Sequence, residues 1–273
     1  MTVTCHSNQL HNNMQTPQPV QQPDQIHATV LLDRSGSMNS LREQVITGFN
    51  TFLAEQRSGT VDGAALAVSL VQFDGQSAFH VVIDAVPAAE VVDLEWNDYQ
   101  PRGSTPLFDA IGRLIETLDQ RVAEPAHLEE DQIICIITDG AENASTDFSA
   151  AEIKELIEAR TEAGFAFIFL GANQDSFTAA ETLGMQRGNT RNFAPSGPGA
   201  RRVFEEVSGT IAQQRGRTPE ERLFQKDELL AARIPEGELL GADPPGQEPT
   251  VRRHRLPGLC LAPESSTSSR QEP

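Results

Sequence analysis

IHATVLLDRSGSM, residues 26–38, is the stretch that decides the fold. Its first eight residues, IHATVLLD, are β-branched and aliphatic and nearly continuous in apolarity, the pattern of a strand buried on both faces. The chain then leaves that strand through an acid and two hydroxyls. Asp33, Ser35 and Ser37 alternate, and Gly36 relaxes the backbone between the serines. A strand covered on both sides belongs to a sheet with helices on each face. In such sheets ligands sit beyond the carboxyl ends of the strands. Taken alone, the polar run fits a helix cap, a phosphatase nucleophile loop or part of a metal site.

Moving outward, Leu41, Val45, Phe49, Phe52 and Leu53 fall at helical spacing, and Ser40 with Glu43 predicts a capping box at the start of that helix. ALAVSLVQFD (65–74) is a second strand. AFHVVID (78–84) follows after the turn DGQS, which predicts a hairpin and an antiparallel edge strand. Leu107, Ile111, Leu114, Ile115, Leu118 and Val122 mark an amphipathic helix, with Thr105 expected as its N-cap and Pro106 at its first position. QIICIITD (132–139) is a third buried strand and ends in Asp139. Ser149 and Glu152 open another capped helix, with Ile153, Leu156 and Ile157 on its inner face.

FAFIFLGA (165–172) is a further buried strand, after which Asp175 is placed to cap a short helix to Leu183. Val203, Phe204, Val207 and Ile211 predict a closing helix over 200–213, and 218–234 one more. Strands alternating with helices imply an α/β, Rossmann-like doubly wound sheet, mostly parallel, with one antiparallel edge strand and helices on both faces. The expected organisation is a disordered polar segment over 1–23, a domain over 24–213, and a weakly helical then disordered Pro/Gly/Ser-rich tail over 214–273. The basic cluster RRHR (252–255) reads as part of that solvated tail.

The 273 residues carry a net charge of −18. Residues 23–214 hold 12 basic and 29 acidic side chains, so the domain bears nearly all of it. A domain this acidic repels phosphate backbones and attracts cations, which argues against nucleic-acid binding. Cys5, Cys135 and Cys260 are isolated, with neither a disulfide framework nor zinc spacing, and fit reduced thiols. The first 22 residues lack an apolar core segment, and no apolar run has membrane-span length. A cytoplasmic protein with no membrane contact is expected.

Five positions, Asp33, Ser35, Ser37, Thr105 and Asp139, place oxygen side chains at one predicted sheet edge. Each has a bland alternative: Ser37 and Thr105 as helix caps, Asp139 before Gly140 as a turn acid. A hard divalent cation uses all of them at once, because it takes oxygen ligands and keeps waters. Ser35, Ser37 and Thr105 offer hydroxyls; Asp33 and Asp139 offer charge, directly or through water. Neutral hydroxyls under-neutralise the ion, so it would attract a partner's carboxylate. Mg²⁺, Mn²⁺ and Ca²⁺ all suit such oxygens.

DRSGS (33–37), Thr105 in RGSTPL and Asp139 in ITDG together resemble the three-loop metal-ion-dependent adhesion site of von Willebrand factor type A domains. The resemblance covers about residues 24–213. GFNTFLAEQR, VQFDG, PRGSTPLFDAIGR, ITDGAENAS and FLGANQD are similar to bacterial stand-alone members. The resemblance implies a divalent ion, usually Mg²⁺, that binds an Asp or Glu of a protein partner. It implies Ser35, Ser37 and Thr105 as direct ligands and Asp33 and Asp139 as direct or water-bridged ones. The implied function is a non-enzymatic interaction module.

An alternative is an accessory subunit of an ATPase-driven chelatase or remodelling complex. The chain has no GxxxxGK[ST], so that ATPase would be a separate protein. A remote alternative is a Mg-dependent phosphatase of the haloacid-dehalogenase type. It needs a second acid where Ser35 stands, and a Lys, for which only Lys154 and Lys226 exist. Weaker candidates are Glu142, Asn143, Asn173 and Asp175 as rim residues. Arg34 and Arg102 are candidates to grip a carboxylate, and Trp96 and Tyr99 to contact a partner. The histidines, including His27 and His80 in strands, show no pair with metal-ligand spacing.

Overall fold

The computed structural model describes residues 24–230, apart from 59–62, 128 and 173–175. The polar segment 1–23, the tail beyond 230, Cys5, Cys260, Asn173 and Asp175 therefore lie outside the described residues. Six strands form one sheet: β1 (Gln25–Asp33), β2 (Ala65–Asp74), β3 (Ser77–Pro87), β4 (Glu130–Thr138), β5 (Ala166–Ala172) and β6 (Thr190–Phe193). Their order is β3-β2-β1-β4-β5-β6. All pairings are parallel except β2 with β3, which is the expected antiparallel edge hairpin.

The helices are α1 (Arg42–Ser58), α2 (Leu107–Val122), α3 (Ala150–Glu162), α4 (Ser176–Thr182), α5 (Gly197–Arg215) and α6 (Pro219–Gln225). The two-residue alternation of β1 divides them. Val30 and Leu32 pack with Val45, Phe49 and Phe52 of α1 and Val203 and Phe204 of α5. Leu31 packs on the other face with Leu114 and Leu118 of α2 and Ile153 and Ile157 of α3. Apolar strands buried on both faces, as IHATVLLD suggested, are the outcome.

This order places the topological switch between β1 and β4. The chain winds from β1 outward to β2 and β3, then returns to the other side of β1. The carboxyl ends of β1 and β4 are thus neighbours, with Leu32 opposite Ile137 in register. That is where open α/β sheets hold their ligands.

Several local expectations differ from the structure. The Ser40–Glu43 capping box does not open α1: a 3₁₀ turn over Gly36–Leu41 runs straight into the helix, because Met38 and Leu41 are already buried against the core. Thr105 is not the cap of α2; Pro106 holds that position with φ −80° and ψ 65° and makes no side-chain cap bond. The Ser149–Glu152 box does form. β6 was not foreseen, because TRNF is four residues long and only its ends are buried.

The helix expected over 218–234 stops at Gln225, yet the chain beyond it stays packed, with Leu229 and Leu230 buried in the core that holds α1 and α5. Arg222 anchors this end of the fold. Its buried guanidinium pairs with Asp24 and with Asp131 (2.5 Å) and donates to the Arg217 carbonyl (2.5 Å). Arg222→Ala is expected to cost about 1–3 kcal/mol, since charged hydrogen bonds to two part-exposed carboxylates are lost. Urea unfolding measures it; an unchanged midpoint would show the anchor to be dispensable.

Candidate metal centre

All five oxygen-bearing residues singled out in the sequence meet at the carboxyl ends of β1 and β4. Ser37 Oγ donates to Asp139 Oδ1 at 2.6 Å, and Ser35 Oγ lies 3.0 Å from Ser37 Oγ. Since the Ser37 hydroxyl proton is directed at Asp139, Ser35 is the donor of that second bond. The Asp33 carboxylate accepts from the Ser35 amide at 2.6 Å and from Thr138 Oγ1 at 2.6 Å. Gly140 marks the centre. A Cβ built there would stand 3.2 Å from Thr105 Oγ1, 3.7 Å from Ser37 Oγ and 3.9 Å from Asp33 Oδ2. Three oxygens from two loops thus face, across from the Gly140 loop, one small space that a side chain at position 140 would fill. Asp33, Ser35, Thr105 and Asp139 are buried, and Ser37 is exposed at the rim.

The supports around this space were mostly not foreseen. Tyr99, considered as a partner contact, is fully buried and donates its hydroxyl to the Asp33 carbonyl at 2.6 Å. Trp96 is exposed, with the Arg42 guanidinium 4.0 Å over its ring. Asn143 fixes the Thr105 loop by accepting from the Thr105 amide (2.9 Å) and donating its own amide to the Thr105 carbonyl (3.2 Å). Glu142 accepts from the amides of Phe108, Ala144 and Ser145, so it braces the start of α2. Asp109 likewise accepts from the amides of Thr146, Asp147 and Phe148.

Arg34 is not poised to grip a ligand. It is buried, with Nε 2.7 Å and Nη2 2.6 Å from Asp74 Oδ2 and Nη1 donating to Gln72 Oε1 at 3.0 Å. Arg102 donates Nε to the same Asp74 oxygen at 3.1 Å. The other Asp74 oxygen accepts from the Gln76 and Ser77 amides at 2.7 and 3.0 Å. Burial alone would raise the Asp74 pKa, but the two amides and the Arg34 guanidinium outweigh it and hold the carboxyl below its usual range. Backbone bonds complete the lacing: the Arg34 amide to the Phe73 carbonyl, the Arg102 amide to the Arg34 carbonyl, and the Gly36 amide to the Gly103 carbonyl. Asp74 ends β2 as Asp33 ends β1, and that shared position was the available signal for it.

Asp33 and Asp139 differ from Asp74 electrostatically. Neither is in an ion pair among the described residues. Burial pushes the Asp33 carboxyl up to about 6, against the pull of the Thr138 and Ser35 hydrogen bonds. Burial also raises Asp139, against the Ser37 bond. Two neighbouring buried carboxylates without a counter-charge, set among neutral hydroxyls, are a donor set that suits a hard divalent cation. Among the described residues no cluster of three or more His, Cys, Asp or Glu could hold a metal ion, so a cation here depends on the hydroxyls.

A model of the von Willebrand factor type A domain family matches residues 29–205. No curated protein matches the chain. Among solved structures, the pilus adhesin SpaC from Lactobacillus rhamnosus GG is similar at 13% identity and TM-score 0.56, over 71% of this chain and 31% of that one. The vWF domain of the type V pili tip protein Mfa5 from Porphyromonas gingivalis is similar at 10% identity and TM-score 0.54, over 72% of this chain and 98% of that one. Proximal thread matrix protein 1 from the mussel byssus is similar at 12% identity and TM-score 0.50, over 70% of this chain. The chain spans 47% of that matrix protein's length. At such identities the likeness shows a shared fold.

Proposed function

The chain belongs to the von Willebrand factor type A domain family, and from that premise we propose that it is a non-enzymatic, metal-dependent interaction module. Its intact adhesion site would hold a divalent cation, Mg²⁺ foremost with Mn²⁺ or Ca²⁺ as substitutes. Through the cation it would capture an Asp or Glu of a protein partner. The observation that carries this reading is the convergence of Thr105, Ser37 and Asp33 oxygens on the space beside Gly140. Ser35, Ser37 and Thr105 would ligate through hydroxyl lone pairs, with the Ser37 hydroxyl proton directed at the Asp139 carboxylate. Asp33 and Asp139 would supply the negative charge. The bound cation would offer an open position to an anionic oxygen.

Chemistry at the site argues against catalysis. The haloacid-dehalogenase alternative lacks its second acid at position 35, and Lys154 lies on α3 paired with Glu158. Pilus proteins among the similar structures support an adhesive role. Among the described residues no helix is long and apolar enough to cross a membrane. Cys135 is buried with its thiol pushed up to about 12 by desolvation, so it is inert to exchange. We place the protein in the cytoplasm on the isolated cysteines alone.

The test is calorimetric titration of Mg²⁺ and Mn²⁺ into metal-free protein, beside a Ser35→Ala, Ser37→Ala double variant. Saturable one-site binding is expected, weakened by roughly 100-fold or more in the variant, since two direct ligands are lost. Equal binding by both proteins would place the cation elsewhere. A metal-dependent pull-down then identifies the partner, and recovery of an ATPase would favour the remodelling-subunit alternative.

A further inference from the structure

On the face of the sheet that α2 covers, a cleft of about 230 Å³ runs beneath β3. Its floor is polar where the rest of that face is apolar. His27 and Thr29 of β1 and Ser69 of β2 stand where Leu31, Val71 and Phe73 continue the core. β3 is uneven above it: Ala85 has φ 47°, and the β2–β3 register shifts at Val68/Leu70 and Leu70/Val71. The Ala85 amide turns inward to donate to Ser69 Oγ at 2.8 Å.

Hydrogen bonds satisfy this floor almost completely. Burial holds His27 neutral, with its pKa lowered to about 4. Its Nδ1 donates to Gln132 Oε1 (2.9 Å), which leaves Nε2 to accept from Ser69 Oγ (2.8 Å). Gln132 in turn donates to Glu130 at 2.9 Å, and Arg121 grips both Glu130 oxygens at 2.7 and 2.9 Å. One group is left over. Thr29 Oγ1 is buried on a residue 1% exposed and has no hydrogen-bond partner among the described residues. A hydroxyl buried without a partner is costly, so this position calls for one.

The mouth has the opposite imbalance. Asp84 and Glu124 line it, both exposed, and neither is in an ion pair among the described residues. Arg121 is hydrogen-bonded to Glu130 and offsets them only at longer range, so the mouth keeps two carboxylates against one guanidinium already paired. Phe79, Val81, Leu114 and Leu118 form the apolar part of the walls, beside Thr117 and Gln120 of α2. An apolar cavity of roughly 150 Å³ takes one benzene ring, so the volume here suits a ring with a short chain.

We propose that this cleft is a binding site for a small amphiphilic cation, with an ammonium at the acidic mouth, an apolar body against α2 and β3, and a hydrogen-bonding tip that meets Thr29. The site is separate from the metal centre and does not depend on it.

The test titrates three probes into the full chain in EDTA, followed by backbone amide shifts: tyramine, phenethylamine, which lacks the phenol, and 3-(4-hydroxyphenyl)propionate, which replaces the ammonium with a carboxylate. Tyramine is expected to bind saturably, with shifts along 27–31 and β3, and the propionate not to bind. Thr29→Val is expected to weaken tyramine about tenfold and leave phenethylamine unchanged, as one hydrogen bond is removed. Asp84→Asn with Glu124→Gln should weaken both amines. The proposal is overturned if no probe binds the unaltered protein, if the propionate binds as tightly as tyramine, or if Thr29→Val leaves the tyramine-to-phenethylamine ratio unchanged.

Discussion

Replacing Asp33 by asparagine is expected to abolish divalent-cation binding while making the metal-free protein more stable at neutral pH. The two effects have one cause. Asp33 is fully buried, and its carboxyl titrates at about 6 in the fold against an ordinary value of 3.8. An acid with a raised folded-state pKa binds its proton more tightly when folded. Its contribution therefore favours the fold below about pH 4 and is lost as pH rises through about 6. A tenfold change in proton affinity corresponds to about 1.4 kcal/mol, so the charged carboxylate destabilises the metal-free fold by up to about 3 kcal/mol at neutral pH. An asparagine keeps the shape, can accept from the Ser35 amide and can donate to Thr138 Oγ1. A net gain of about 1–2 kcal/mol is expected after imperfect hydrogen bonds are discounted. Urea unfolding in EDTA between pH 5 and pH 8 measures it. Metal-free D33N should show a smaller decline with pH than the unaltered protein, the remainder coming from buried Asp139; a variant less stable at every pH would refute the account. Adding Mg²⁺ should reverse the ranking, because the variant loses one of the two carboxylates that would supply the cation's negative charge.

The second large effect lies on the opposite side of β1. Phe204→Ala is expected to destabilise the protein by about 3–5 kcal/mol, the usual cost of emptying an aromatic position in a core. Phe204 of α5 meets Phe49 of α1 edge-on, with centroids 6.1 Å apart and rings at 82°. It also fills the notch left by Gly48, where an added Cβ would stand 2.5 Å from Phe204 Cδ2. The helix pair closes around one ring, and the loss of that ring leaves a cavity that neither backbone can collapse into. Against a typical stability of about 5–15 kcal/mol, the variant would be marginal at physiological temperature. Calorimetric unfolding tests this, and a loss below about 1 kcal/mol would mean the helices repack. The Mg²⁺ affinity of the folded fraction should stay within a few-fold, since Phe204 touches none of the site oxygens.

Much of this arrangement is visible in the chain itself. IHATVLLD and QIICIITD announce strands buried on both faces, and Asp33 and Asp139 stand at the ends of both. Asp33 and Asp139 follow from that placement, Ser35 and Ser37 from the alternation after Asp33, and Thr105 from the separate loop before α2. Where expectation failed, tertiary packing overrode a local signal. Thr105 has the residue type of a cap, but Asn143 holds its backbone from another loop and Pro106 takes the cap position. Ser40 and Glu43 spell a capping box, but Met38 and Leu41 are already drawn into the core. Arg34 has the chemistry of a carboxylate clamp, and its carboxylate proves to be Asp74 within the same chain. Long-range partners of this kind leave no mark on local spacing. Neither does the hydroxyl of Thr29, which reads as an ordinary strand residue.

Asp74 carries a consequence for motion. One carboxylate holds two guanidiniums and two amides drawn from three separate loops, and it lies beneath the rim of the metal centre. Such a knot releases all at once or not at all. The amides of Arg34, Gly36, Gln76, Ser77 and Arg102 should therefore exchange with solvent deuterium at one common opening rate, as a single cooperative unit. The Thr105–Asn143 side, braced by Glu142 and Asp109 and sharing no bond with Asp74, should exchange on a separate clock.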